Sequence, residues 1–110
     1  MKHILHPSLH DLRLPTVFYA VSDPVRLGVI LKLADGCEKT CGDLECGTVG
    51  KSTMTHHFKV LREAGIVFTR VDGREYYTRL RRELMDEKFP GLLDEIVRAA
   101  KQELLPVANA

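Results

Sequence analysis

Apolar positions recur at helical spacing along most of this chain and alternate in one short stretch. Leu14-Pro15-Thr16-Val17-Phe18-Tyr19-Ala20-Val21 reads as a short helix, with Pro15 suited to a first turn whose N–H has no partner to lose. Ser22-Asp23-Pro24 is a start signal, a side-chain cap followed by proline at the first helical position. Val25, Leu27, Val29, Ile30, Leu31 and Leu33 then supply a largely buried helix that stops at Asp35-Gly36. Thr40-Cys41-Gly42-Asp43 matches a capping box and introduces a short helix around Leu44. After a tight turn a second helix begins near Gly50-Lys51-Ser52, runs through Met54, Phe58, Leu61 and Ala64, and closes at Gly65. Its other face carries Lys51, Ser52, Thr55, His56, Lys59 and Arg62.

The period then changes from 3.6 to 2. Ile66-Val67-Phe68-Thr69-Arg70-Val71 and Arg74-Glu75-Tyr76-Tyr77-Thr78-Arg79-Leu80 flank Asp72-Gly73, which predicts a hairpin with both turn residues at positive φ. That turn places Val71 opposite Arg74 and Arg70 opposite Glu75, leaving Arg74 freer than Arg70. A last amphipathic helix from about Pro90 carries Leu92, Leu93, Ile96, Val97, Ala100 and Leu104 on a wide stripe that needs covering.

At 110 residues the chain predicts one domain over 1–110, and 45% hydrophobic with 28% charged residues is the composition of a folding chain, not a disordered one. No apolar run approaches the roughly 18 residues of a membrane span, and histidines and Pro7 break up the start, so neither a span nor a signal peptide is expected and the location predicted is cytoplasmic. Three cysteines then read as reduced thiols. The net charge of +1 hides a segregation: −1 over residues 1–50, +5 over 51–82 and −3 over 83–110. A basic middle between acidic ends is the footprint of a face for a polyanion.

A capped helix, a tight turn, a second helix with a polar and basic face and then a basic hairpin is the order of a winged helix-turn-helix, mainly α with a β-hairpin wing. Ser22-Asp23-Pro24-Val25-Arg26-Leu27, the run from Lys51-Ser52-Thr53-Met54-Thr55-His56-His57-Phe58-Lys59-Val60-Leu61 to Arg62-Glu63-Ala64-Gly65-Ile66-Val67, and Arg70-Val71-Asp72-Gly73-Arg74-Glu75-Tyr76-Tyr77 closely resemble the ArsR/SmtB regulators. The resemblance spans roughly residues 10–103. It implies a dimeric bacterial repressor that binds double-stranded operator DNA and leaves it when a metal, metalloid or oxidant acts, with the first and last helices forming the dimer interface. The expected DNA-contacting set is Lys51, Ser52, Thr53, Thr55, His56, Lys59 and Arg62 on the second helix, with Arg70 and Arg74 on the wing. His56 is favoured as the contact, and His57, beside Phe58 and Met54, is given a packing or capping role.

Metal-sensing members of that family use a Cys-x-Cys ahead of an Asp-Leu, or Asp and His ligands along the last helix. Here Thr40-Cys41-Gly42 precedes Asp43-Leu44, and the last helix holds neither histidine nor cysteine, so no metal site and no cofactor are expected. Cys37, Cys41 and Cys46 remain as a candidate redox set. Cys41, in a helical first turn, is predicted to have a lowered pKa and to pair with Cys37. A rival reading has His3, His6 and His10 join a cysteine in a zinc-type site, making the chain a metal- or metalloid-responsive repressor; a frayed arm is the blander expectation, because Pro7 breaks the helix that would align them. A regulator without an inducer is the remaining variant.

Enzyme readings fail on residues. The G-x4-G-K-[ST] phosphate loop suggested by Gly50-Lys51-Ser52 needs glycine where Glu45 stands, and Cys-x3-Cys between helices is not the Cys-x2-Cys of a thiol oxidoreductase. A winged helix that docks a protein instead of DNA stays open; a steep salt dependence of duplex binding separates the two.

Overall fold

The structure is a computed structural model that describes residues 4–45 and 49–104. A 3-10 turn at Leu9–Asp11 leads into α1 (Leu14–Ala20) and α2 (Pro24–Leu33). Asp23 caps α2 as its position before proline requires, its Oδ2 accepting from the N–H groups of Val25 at 2.9 Å and Arg26 at 3.1 Å. Next come β1 (Lys39–Thr40), the single-turn α3 (Cys41–Leu44) and α4 (Lys51–Glu63). Thr40 Oγ1 accepts from Asp43 N–H at 3.2 Å to start α3. Helix α4 buries Met54, His57, Phe58, Val60 and Leu61 against Val17, Ile30, Leu33 and Ile66 of the core.

Strands β2 (Val67–Asp72) and β3 (Glu75–Leu80) form the hairpin, and β1 adds to its other side, giving an antiparallel sheet of order β1-β3-β2. The register corrects the expected pairing: Arg70 faces Tyr77, Val71 faces Tyr76 and Asp72 faces Glu75, so the two turn residues are Gly73 and Arg74. Gly73 takes φ +63°, and among the described residues no non-glycine residue has positive φ. A turn with glycine in its first position needs one left-handed residue, whereas the expected turn would have forced Asp72 there as well. Three elements lie outside the sequence expectations: the 3-10 turn at Leu9–Asp11, β1, which at two residues is too short to show alternation, and α5 (Arg82–Lys88), which buries Met85. The last helix, α6 (Leu92–Leu104), starts after Gly91, and Leu93, Val97 and Ala100 of its stripe are covered within the chain, where α6 packs on α2, while Leu92 and Ile96 stay partly buried. Among the described residues no single helix is long and apolar enough to cross a membrane.

Residues 4–7 are not a frayed arm. The His6 ring stacks on Phe68 with centroids 4.1 Å apart, its Nε2 accepts from Thr69 N–H at 3.0 Å, and Arg81 Nη1 donates to the Pro7 carbonyl at 2.8 Å. The arm therefore covers part of the free edge of β2, a row of backbone groups that would otherwise invite another strand. The proposed grouping of His6 with His10 and a cysteine is not present, since no three His, Cys, Asp or Glu among the described residues gather as metal ligands; His3 lies outside the described residues.

Burial first, then Arg81 and Arg62, holds the His6 pKa below the usual 6.5. The folded chain thus excludes a proton that the unfolded chain takes up, so this contribution is complete above about pH 6.5 and is lost as pH falls through that value toward the lower folded-state pKa. In urea titrations, wild-type stability is expected to drop more between about pH 7 and about pH 5 than that of His6→Gln; equal drops would show that His6 does not hold the arm. A second prediction concerns Gly65, which ends α4 at φ +85° with Ile66 N–H bonded to the Leu61 carbonyl at 3.1 Å. A Cβ there would lie 2.2 Å from Leu12 Cδ2, so Gly65→Ala should lower stability by about 1–3 kcal/mol with an unchanged denaturant slope.

Candidate nucleic-acid interface

Because α4 turns 100° per residue, burying Met54, Phe58 and Leu61 forces the intervening residues outward. Lys51, Ser52, Thr53, Thr55, His56 and Lys59 are exposed together, a row of hydroxyls, an imidazole and two ammonium groups along one helix face. Thr55 Oγ1 already donates to the Lys51 carbonyl at 3.0 Å, which leaves its lone pairs and methyl to face outward. Arg62 departs from the row. It is half-buried and lines a cavity of about 1070 Å³ between the arm, α3, α4 and the wing, with Cys41 and Tyr76.

His57 turns inward and is 8% exposed. Its Nδ1 lies 3.1 Å from Arg26 Nη1, and since a guanidinium can only donate, Nδ1 accepts and the ring proton sits on Nε2. Arg26 is itself 5% exposed and also donates from Nε to the Ala20 carbonyl at 2.7 Å and from Nη2 to the Tyr19 carbonyl at 3.1 Å. Sequence reading missed this residue. The signal was present: Arg26, Val29, Ile30 and Leu33 are the buried positions of α2 at i, i+3, i+4 and i+7, so a cation stands on the apolar stripe.

On the wing, Arg70 does not pair with Glu75. Its guanidinium grips Glu38 with two hydrogen bonds of 2.8 Å, lies 4.5 Å from the Tyr77 ring centroid and approaches Asp72 at 3.7 Å. The hydrogen-bonded guanidinium holds the Glu38 carboxyl below its ordinary range. Arg74 occupies the exposed turn and has no acidic partner among the described residues.

The thiols differ from expectation. Burial raises the Cys41 pKa, outweighing a hydrogen bond to Thr78, because α3 is a single turn with little dipole and the thiol points toward the sheet. Cys37 is exposed, both are free, and Cys46 lies outside the described residues.

Residues 23–69, which run from the cap of α2 into β2, match the model of the bacterial regulatory protein, arsR family. Over 83 residues the chain is 41% identical to the uncharacterized HTH-type transcriptional regulator YceK of Bacillus subtilis (strain 168), covering 73% of this chain and 82% of that protein. It is 33% identical over 73 residues to the arsenical resistance operon repressor of Staphylococcus xylosus, covering 66% and 70%. The solved transcriptional repressor BigR from Xylella fastidiosa superposes with a TM-score of 0.60 at 29% identity, over 78% of this chain and 84% of that one. With its winged helix-turn-helix and these relatives, the chain belongs to the ArsR family of bacterial regulatory proteins, which regulate transcription by binding DNA and are not enzymes.

Proposed function

We propose that two copies of this chain pair through α1 and α6 and seat their α4 helices in successive major-groove turns of an operator, as a cytoplasmic transcriptional repressor released by thiol oxidation. The carrying observation is the exposed face of α4, whose hydroxyls and imidazole suit base edges and whose Lys51 and Lys59 suit phosphates. Arg74 at the wing tip meets the flanking backbone or minor groove, and Arg62 reaches a phosphate from the cavity rim. Arg70 serves DNA mainly by bracing the wing against Glu38. Leu14, Phe18 and Tyr19 of α1 are exposed apolar surface of the kind a subunit contact covers, and the named repressors among the relatives support repression.

For the signal, exposed Cys37 takes the oxidant first. Peroxide converts its thiol to a sulfenic acid and releases one water, and the Cys41 thiol then displaces a second water to close the disulfide. Cys37 and Cys41 flank β1, so the bridge would pull on the pairings of Lys39 with Thr78 and Thr40 with Tyr77 and on the Thr40 cap of α3. The arsenical resistance repressor among the relatives favours a second reading, in which a trivalent arsenical is the inducer and takes the same thiols.

Fluorescence anisotropy with duplex from the gene's own upstream region tests both, with metal chelated for the peroxide arm. Reduced protein should bind tightly and lose affinity steeply with salt, and Lys59→Ala should weaken binding by about tenfold at low salt and flatten the salt slope by about one. Peroxide should abolish binding, reductant restore it, and Cys41→Ser keep the complex under peroxide. Release by arsenite without release by peroxide would select the second reading, while no binding by reduced protein would defeat the operator reading.

A further inference from the structure

We propose that Arg26 is a positioning residue for DNA recognition, its buried guanidinium fastening the end of α1 to the inner side of α4 through His57 and so setting the rotation at which the reading face meets DNA. The inference rests on the operator-binding reading and names a residue outside the interface that this reading requires.

A buried cation is costly, and for filling space alone an apolar side chain at this position would serve as well or better. Among the described residues no carboxylate neutralises the Arg26 guanidinium at hydrogen-bond distance. The nearby Asp23 carboxylate is engaged by the Val25 and Arg26 N–H groups, and it lies 3.8 Å from His57 Nδ1. The guanidinium spends its fork on three acceptors: the Ala20 carbonyl at 2.7 Å, the Tyr19 carbonyl at 3.1 Å and His57 Nδ1 at 3.1 Å. Two of these are carbonyls in the last turn of α1, where no further helical turn follows. The Tyr19 carbonyl also accepts from Ser22 N–H at 3.1 Å and Ser22 Oγ at 2.6 Å, so the guanidinium adds a donor from α2 to it. Its plane also lies 5.1 Å from the Tyr19 ring centroid. One planar group thereby joins α1, α2 and α4.

Direction is what this adds. Met54, Phe58 and Leu61 hold α4 by apolar burial, which is non-directional and tolerates a small roll of the helix about its axis. A hydrogen bond weakens steeply once its angle closes, so the Arg26–His57 contact resists that roll. His57 follows His56 directly and stands one turn after Thr53, so fixing its ring fixes where those exposed groups point. The same guanidinium holds the carbonyl of Tyr19, whose side chain belongs to the exposed face of α1. In a pair joined through α1, Arg26 would therefore also set the spacing between the two α4 helices. Lysine keeps the charge but lacks the fork.

The test compares wild type, Arg26→Lys, His57→Leu and His57→Asn, each at a temperature where circular dichroism shows it fully folded. Anisotropy is read with the upstream duplex and with a scrambled duplex of equal length. Arg26→Lys and His57→Leu should each lose about tenfold in affinity for the upstream duplex, with binding to the scrambled duplex and its salt slope unchanged. His57→Asn keeps an acceptor near the Nδ1 position and should stay within about twofold of wild type, and the double variant Arg26→Lys/His57→Leu should be no worse than either single one. Nitrogen NMR of the free protein should show the Nε2–H form of His57, with its Nδ1 resonance moved by Arg26→Lys. A fall in melting temperature with the upstream-to-scrambled ratio intact would overturn the positioning role. A wild type that does not distinguish the two duplexes would overturn the operator reading beneath it.

Discussion

Six of the first ten residues of α4 are exposed, so the Met54, His57, Phe58 and Leu61 edge must supply the burial that keeps this helix docked. Fully burying a large apolar side chain is worth roughly 1.5–3 kcal/mol, and few such side chains are available to a helix whose other face stays polar. The rest of the fold supplies the wall they need. Helix α2 brings Val29, Ile30 and Leu33 behind α4, α6 backs α2 with Leu93 and Val97, and Ile66 closes the end where the chain turns into the wing. Gly65 permits that turn, and Leu12 packs into the space its missing side chain leaves.

The polar contacts add orientation to this burial. Arg26 ties α1 to α4, Glu38 ties the loop after α2 to Arg70 on the wing, and His6 ties the N-terminal arm to β2. Each joins elements far apart in sequence through a directional group. Exposed pairs such as Arg70 with Glu38 contribute little to stability, and their value here is geometric. The buried contacts, Arg26 with His57 above all, are costly to break because a stranded partner would stay desolvated.

The thiols show how local rules give way to surroundings. A helix first turn ordinarily favours thiolate, yet Cys41 sits in a helix of four residues with its sulfur against the sheet, and desolvation prevails. Exposure instead makes Cys37 the more accessible of the two described thiols, on the far side of the two-residue strand from Cys41.

Local chemistry made much of this protein legible. The Asp23-Pro24 and Thr40 caps, the Gly65 stop, the apolar spacing of α4 and the alternation of the wing are decided by residues within a few positions of one another, so a linear reading recovers the winged helix-turn-helix and the exposed face of α4. Partners distant in sequence were not recoverable in this way. Only the tertiary structure decided that Arg70 grips Glu38, that His6 accepts from Thr69, that Arg26 reaches His57 and that Arg62 turns toward a cavity. The hairpin register also fell to the whole turn: one left-handed glycine at Gly73 is cheaper than a left-handed Asp72 beside it. Periodicity reports which face of a helix or strand is buried, but hydrogen bonds and desolvation depend on what the folded chain brings to that face.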